Sequence, residues 1–178
     1  AAGERDFGES HVQELVKKHD LLPNDIRWHM IGHLQTNKVR AIVPFIWLIH
    51  SVDSLHLLET IQREAARINR VVNVLLEVHV AREETKSGFS PAELQNLLDS
   101  GVLSKMPNVH VKGIMGMATN TDDTAEIQRC FDALSAIYRA HPEWNTLSMG
   151  MSEDYLQAIA SGSTLVRIGS AIFGERQY

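Results

Sequence analysis

The chain has 178 residues, of which 44% are hydrophobic and 22% are charged, as is usual for a folded globular protein. Lys and Arg total 17 against 22 Asp and Glu, so the net charge of −5 excludes the basic footprint of a nucleic-acid-binding protein. The single cysteine, Cys130, excludes an internal disulfide and a cysteine-cluster zinc site, and it favours a cytoplasmic location.

The termini and the apolar windows carry no membrane or export signal. The most apolar windows, 41–49 and 71–80, are far shorter than the roughly 20 residues that a membrane span needs. The chain starts at Ala1 rather than at Met, with no basic segment followed by an apolar one. We therefore expect no membrane contact, and a single domain over 1–178 that is incomplete at its amino-terminal end.

Short apolar runs alternate with longer amphipathic stretches along the whole chain. Residues recurring at three- and four-residue spacing in the longer stretches predict helices, and the short runs predict strands. This alternation indicates βαβ units and a parallel sheet. The seven predicted strands centre on 5–7, 28–31, 47–49, 71–80, 109–115, 146–149 and 165–168.

Several helix starts can be predicted from capping residues. Ser54, Ser90 and Ser152 are good N-cap residues, and Pro91 follows Ser90 at the first helical position. Asp123 places negative charge at another helix start, where the helix dipole favours it.

Two folds use this alternation, the doubly wound open sheet and the (β/α)8 barrel. No Gly-x-Gly-x-x-Gly follows the first strand, so the dinucleotide-binding form of the open sheet lacks support. A complete barrel has eight units and typically about 250 residues. Seven units fit a (β/α)8 TIM-type barrel whose first βα unit is missing from this chain, but the pattern alone leaves both folds open.

In either fold, functional residues gather after the carboxyl ends of the strands. His29, His33 and His50 lie at the ends of the second and third predicted strands, yet their spacing is not a metal-ligand signature, and we predict no metal site. The polar loop 82–88 is predicted to be solvated, with a mobile lid as the alternative.

The last two predicted strands carry the most informative residues. A glycine and a serine, Gly150 and Ser152, follow one strand, and Gly169 and Ser170 follow the other. Their backbone N–H groups and hydroxyls can hold an anion, and the last two loops of such barrels commonly bind phosphate. Strand alternation points Arg167 into the barrel interior, unless the sheet is open and leaves this guanidinium in solvent.

Six segments together resemble the pyridoxal phosphate homeostasis protein family, whose barrel is similar to the amino-terminal domain of alanine racemases. The first reads Arg-Asp-Phe-Gly-Glu and the second Trp-His-Met-Ile-Gly-His-Leu-Gln-Thr-Asn-Lys. The last reads Gly-Ser-Thr-Leu-Val-Arg-Ile-Gly-Ser-Ala-Ile-Phe-Gly. The resemblance spans the whole chain, and its segments are 5–9, 28–38, 50–54, 84–88, 147–152 and 162–174.

This resemblance implies a fold-type III barrel, usually monomeric, that binds pyridoxal 5'-phosphate (PLP). By motif matching, Ser152, Gly169 and Ser170 would hold the phosphate, and Arg167 would approach the pyridine nitrogen. The residues that the resemblance places near the cofactor are His33, Met149 and Ser10.

Two positions depart from the family pattern. The lysine that forms a Schiff base with PLP in this family ends the first strand, and no lysine of this chain matches it. Ser10 stands where the family usually has Asn after Phe-Gly-Glu. We therefore expect this span to bind PLP weakly or not at all, or to hold phosphate or sulfate in its place.

The residues favour a carrier that stores or delivers PLP inside the cell over an enzyme. PLP catalysis benefits from a protonated pyridine nitrogen, and an arginine, always protonated itself, cannot help to protonate it. No catalytic residue is predicted, and apo forms of PLP enzymes are the expected recipients. The alternatives are a PLP-dependent amino-acid racemase or lyase, and a barrel that binds a phosphorylated metabolite without PLP.

Overall fold

Strands and helices alternate along the structure, a computed structural model that describes residues 3–83 and 87–174. Six of the predicted strands are present: β1 (Asp6–Glu9), β2 (Arg27–Met30), β3 (Leu48–Val52), β4 (Val72–Val78), β5 (Val109–Gly116) and β6 (Thr146–Ser148). The α-helices are α1 (Val12–Leu21), α2 (Val39–Ile42), α3 (Leu55–Arg67), α4 (Pro91–Asp99), α5 (Thr124–Arg139), α6 (Tyr155–Ala160) and α7 (Ser170–Phe173). Short 3₁₀ turns at Thr36–Lys38 and Val102–Lys105 precede α2 and β5.

The six strands form one sheet in chain order, and every neighbouring pair is parallel. A doubly wound sheet reverses its strand order at a switch point, so this sequential order matches the barrel. The sheet is also strongly curved. In a flat sheet β3 and β6 would lie three strand spacings apart, roughly 14 Å, whereas His50 on β3 contacts Ser148 on β6 at 2.9 Å. The sheet therefore encloses an interior.

The seventh predicted strand, 165–168, is not a full strand. Leu165 forms a single isolated parallel bridge with Ser148, flanked by a hydrogen bond from Met149 N–H to the Leu165 carbonyl. Gly150 then adopts a φ of +94°, which takes the chain after β6 out of the extended conformation and ends the ladder. The segment still runs beside β6, since Arg167 N–H donates to the Gly150 carbonyl at 2.9 Å.

Side chains alternate between two apolar layers, as parallel strands require. On β4, Val72, Val74 and Leu76 belong to the large core between the sheet and the helices. Leu75 points the other way and packs inside the curved sheet with Leu48 and Met115. This interior cluster is small, so much of the remaining interior is left to polar side chains.

Three predicted helix starts are confirmed and one is wrong. Ser90 forms a full capping box with Glu93 behind Pro91, while Ser54 accepts from Leu57 N–H, and Asp123 caps α5 through its side chain. The N-cap of α6 is Asp154, not Ser152. Within the described residues no helix is long and apolar enough to cross a membrane.

Candidate functional site

The predicted site residues follow the carboxyl ends of their strands. Ser10 comes after β1 and His33 after β2, while Ser152 follows β6 and Gly169 begins the turn into α7. Because these ends lie on the same rim of a curved parallel sheet, these predicted residues lie on one face of the molecule. The rim has two parts, one around Ser152 and one around His33.

The Ser152 part of the rim is a compact turn of hydrogen-bond donors. The hydroxyl of Ser152 accepts hydrogen bonds from Gly169 N–H at 3.2 Å and from Ala171 N–H at 3.3 Å. These two amides flank Ser170, which starts α7 and is exposed. Ser152, Gly169 and Ser170 therefore lie together in one turn, in which the Ser152 oxygen accepts from both amides and its O–H remains as a donor.

Arg167 lies inside the curved sheet and not in bulk solvent. Its Nη1 donates to the Ser148 hydroxyl at 2.7 Å and to the Ser148 carbonyl at 3.0 Å, and its Nη2 donates to the Gly116 carbonyl at 3.2 Å. Burial lowers the pKa of Arg167 to about 10, although the carboxylates of Glu77 and Asp154 oppose the shift. The guanidinium is thus a fixed cation at neutral pH.

The His33 part of the rim is more open. His33 Nδ1 lies 3.2 Å from Asp53 Oδ2, and the histidine side chain is 62% exposed. Gly32 passes so close to Ser10 that a Cβ on Gly32 would lie 2.4 Å from the Ser10 carbonyl oxygen. Glycine at position 32 therefore lets the loops after β1 and β2 meet.

Met149 occupies a different environment from the other predicted residues. Its side chain is fully buried and belongs to the large core between sheet and helices. The alternation along β6 explains this, because Ser148 faces the interior and its neighbours face the helices. Met149 supports the turn at Gly150 from behind, with its carbonyl accepting from the Ser163 hydroxyl at 2.7 Å.

A buried carboxyl group beneath the rim was not predicted. Glu77 on β4 is 3% exposed, and desolvation raises the pKa of this carboxyl, with the charge of Asp53 acting in the same direction. Ser87 donates to Oε1, and Oε2 has no hydrogen-bond partner among the residues that the structure describes. The sequence did carry one signal for this position. Glu77 is two residues from Leu75 on β4, so both side chains point into the interior of the sheet.

Two of the three histidines considered for metal binding, His29 and His50, contact each other. His29 Nδ1 lies 2.8 Å from His50 Nε2, whereas His33 pairs with Asp53. Across 3–83 and 87–174, no three His, Cys, Asp or Glu side chains are grouped so as to hold a metal ion. The loop predicted to be solvated or a lid, 82–88, falls partly on 84–86, which lie outside the described residues.

Similarity to known proteins assigns the family. The family profile described as "Alanine racemase, N-terminal domain" matches residues 1–177. The chain belongs to the alanine racemase N-terminal domain family. Members similar to it include the pyridoxal phosphate homeostasis protein of Aquifex aeolicus (strain VF5), 41% identical over 178 residues covering 97% of this chain and 77% of the relative. That of Pseudomonas aeruginosa is 38% identical over 180 residues, covering 100% of this chain and 77% of the relative.

Solved structures give the same family placement. PipY of Synechococcus elongatus PCC7942, solved with PLP bound, superposes with a TM-score of 0.87 at 36% identity, covering 97% of this chain and 83% of PipY. Alanine racemase of Streptomyces coelicolor A3(2) gives a TM-score of 0.77 at 18% identity, covering 98% of this chain and 48% of that enzyme. The first comparison supports the family and the second the fold, which is the alanine racemase N-terminal barrel.

Proposed function

We propose that this protein binds PLP through the rim at Ser152 and Gly169, and that it stores or delivers the cofactor without catalysing a reaction. The observation that carries the proposal is the pair of amides, Gly169 N–H and Ala171 N–H, that converge on the Ser152 hydroxyl. Support also comes from the relatives, which are named pyridoxal phosphate homeostasis proteins, and from PipY, which holds PLP.

The donor set fits a phosphate group. The Gly169 and Ala171 N–H groups both donate to the Ser152 oxygen, and a phosphate oxygen would replace it as their acceptor while the Ser152 O–H donates to the same group. Backbone donors with an added side-chain hydroxyl are a recurrent way to bind phosphate. Ser170 contributes its own amide and hydroxyl to the same exposed turn. We propose Ser152, Gly169 and Ser170 as the phosphate-binding residues.

Arg167 fits the aromatic end of PLP. An arginine has five N–H donors, and Ser148 and Gly116 accept three hydrogen bonds from Nη1 and Nη2. The Nε–H and the second Nη2–H have no acceptor among the described residues, so they can donate to a pyridine nitrogen. We propose that His33 and Ser10 border the ring on the open side, and that Met149 supports the site from the core.

The same arginine argues for a carrier. PLP supplies an electron sink for amino-acid chemistry when its ring nitrogen is protonated. Arg167 remains a cation at neutral pH, because its pKa of about 10 is far above that range, so it donates a hydrogen bond and leaves the ring nitrogen unprotonated. The chain's own residues therefore bind and orient the ligand but do not protonate its ring nitrogen.

The binding that we propose for residues 1–178 is noncovalent. The lysine of the family has no counterpart among residues 1–178, so the phosphate contacts must provide most of the affinity. Residues 1–178 should bind PLP reversibly, so that dialysis removes the ligand.

A titration tests the site. PLP binding is followed by the ligand's absorbance in the unmodified chain, in Ser152→Ala and in Ser104→Ala, a serine whose hydroxyl donates to the Gly101 carbonyl away from the rim. We expect Ser152→Ala to weaken PLP about tenfold, because a hydrogen bond to a charged group is worth about 1.5–3 kcal/mol. Ser104→Ala should bind like the unmodified chain. Equal affinities in all three proteins would refute the phosphate site.

Two rival functions give different results in the same assays. Conversion of L-amino acids to D-isomers or keto acids by the PLP-loaded chain would indicate a racemase or lyase. Displacement of PLP by glycerol phosphate at equal concentration would indicate a general phosphate-metabolite barrel. For the carrier, we propose transfer of PLP from a cytoplasmic monomer to apo PLP enzymes, measured as recovery of their activity, with the monomer checked by sedimentation.

A further inference from the structure

A continuous line of polar side chains crosses the interior of the sheet from β1 to Arg167. His29 Nε2 lies 3.2 Å from Asp6 Oδ1, and His29 Nδ1 lies 2.8 Å from His50 Nε2. His50 Nδ1 lies 2.9 Å from Ser148 Oγ, which accepts from Arg167 Nη1 at 2.7 Å. The line joins the amino end of β1 to the guanidinium beneath the rim, and the proposed phosphate site does not use it.

The chemistry of the two ends gives the line a single direction. Arg167 can only donate, and the Asp6 carboxylate can only accept. The proton therefore sits on Nε2 of His29, which leaves His29 Nδ1 bare to accept from His50 Nε2–H. His50 Nδ1 is then also bare and accepts from the Ser148 O–H. Every member is satisfied with both imidazoles neutral and in the same Nε2–H tautomer.

The surroundings favour this neutral arrangement over one with a charged histidine. Burial lowers the pKa of His29, although Asp6 opposes the shift and Arg27 and Glu4 add smaller effects of opposite sign. Burial also lowers the pKa of His50 well below its ordinary value, and the electrostatic effects of His29 and Arg167 act in the same direction. The competing arrangement, an imidazolium at His29, would reverse the hydrogen bonds at His50.

We infer that Asp6, His29, His50 and Ser148 are positioning residues that hold Arg167 in place for a heteroaromatic ring nitrogen. Because the Ser148 O–H donates to His50, the lone pairs of the Ser148 oxygen face Arg167 and accept from Nη1. The remaining N–H groups of the guanidinium are then held in a fixed direction. This inference rests on the proposed function for the ligand, but the direction of the hydrogen-bond chain does not.

The first experiment needs no ligand. Long-range ¹⁵N–¹H spectra of the full chain with labelled histidines report the protonation of each ring nitrogen, assigned with His29→Gln and His50→Gln. We expect His29 and His50 to be neutral Nε2–H tautomers between pH 6.5 and 8. An imidazolium at His29, or an Nδ1–H at either residue, would overturn the directed chain.

The second experiment separates positioning of the ring nitrogen from general support of the fold. PLP and its 1-deaza analogue, in which C–H replaces the ring nitrogen, are titrated into the unmodified chain, Ser148→Ala and Ser135→Ala. Ser135 is a buried control serine that donates to the Ser161 carbonyl on the outside of the sheet. Ser148→Ala should weaken PLP about tenfold, about 1.4 kcal/mol, and should leave binding of the analogue unchanged, while Ser135→Ala changes neither.

The outcomes distinguish this inference from the proposed function. If Ser148→Ala weakens the binding of both ligands equally, the line of polar side chains only supports the fold. That result would refute the positioning role. Ser148→Thr, which keeps a hydroxyl, should restore PLP binding if the role is correct. Failure of the unmodified chain to bind either ligand would refute the proposed noncovalent binding of PLP by residues 1–178 and the ring-nitrogen role together. The spectra would still decide the direction of the hydrogen bonds.

Discussion

Ser87 satisfies only half of the buried Glu77 carboxyl group. Its hydroxyl donates to Oε1 at 3.1 Å, while Oε2 has no partner among the described residues. An isolated buried carboxylate is costly, and desolvation accordingly raises the pKa of Glu77 above its ordinary value of 4.5. The folded protein therefore holds the proton of Glu77 to a higher pH than the unfolded chain does, which makes stability depend on pH.

Stability should fall as pH rises above 4.5 because of Glu77. The folded state holds this proton to a higher pH than the unfolded state, so folding is favoured below the unfolded pKa and loses that advantage as pH rises through the folded pKa. Glu77→Gln, which is neutral at every pH, should be more stable than the unmodified chain at pH 8 by about 1 kcal/mol, the order of the cost of an unsatisfied buried group. Urea unfolding at pH 4 and pH 8 measures this, and a difference that does not grow with pH would contradict it.

Glu126 should give the opposite pH dependence. Hydrogen bonds from Arg129, at 2.6 Å and 3.0 Å, are the largest influence that lowers the pKa of this carboxyl from 4.5 to about 2, and Thr119 donates at 2.8 Å. Since the folded pKa is depressed, Glu126 stabilises the protein above pH 4.5, and this contribution is lost as pH falls toward about 2.

The corresponding measurement is the acid limb of the stability profile. Glu126→Gln should lose stability at pH 7 and show a flatter decline between pH 4.5 and pH 2.5 in thermal unfolding. Glu59→Gln, on an exposed part of α3, controls for removal of one negative charge. A decline as steep in Glu126→Gln as in the control would exclude this ion pair as a source of acid sensitivity.

The sequence predicted the elements better than it predicted how they join. Alternating apolar runs located six strands because each strand buries one face against helices. The seventh run, at 165–168, has the same pattern, yet it forms only one bridge, because the positive φ of Gly150 in the neighbouring segment ends the ladder. The apolar pattern of one segment contains no information on the backbone conformation of the segment that it pairs with.

The candidate site shows a similar division. The inward direction of Arg167 follows from alternation along one segment, and the structure shows that direction. The contact between His29 and His50, and that between His50 and Ser148, depend on curvature that brings β3 across to β6, which no single segment encodes. The family resemblance identifies the residues on the rim, because these contact the ligand in the family. It carries no information on the side chains beneath the rim.

Ser90 and Ser152 both precede a helix, and their alanine variants should distinguish a helix-capping serine from one that binds a ligand. Ser90 accepts from Glu93 N–H in a capping box, so Ser90→Ala should destabilise the protein by about 1 kcal/mol. Ser152 caps no helix, since the N-cap position of α6 is Asp154, and Ser152→Ala should cost less in stability while reducing PLP affinity. Chemical denaturation of both variants measures the difference, and a larger loss for Ser152→Ala would show that its amide contacts are mainly structural.

Gly116 and Leu134 should be energetically coupled. A Cβ on Gly116 would lie 2.5 Å from Leu134 Cδ1, and Leu134 is fully buried on α5. Gly116→Ala should therefore destabilise by about 1–3 kcal/mol through overpacking, and Leu134→Ala by about 2–5 kcal/mol through lost burial and a cavity. In the double variant the added methyl enters the space that Leu134 leaves, so the two costs should sum to more than the measured loss. A double-mutant cycle from urea unfolding gives the coupling, and additivity within about 0.5 kcal/mol would mean that the helix moves away from β5 to relieve the clash.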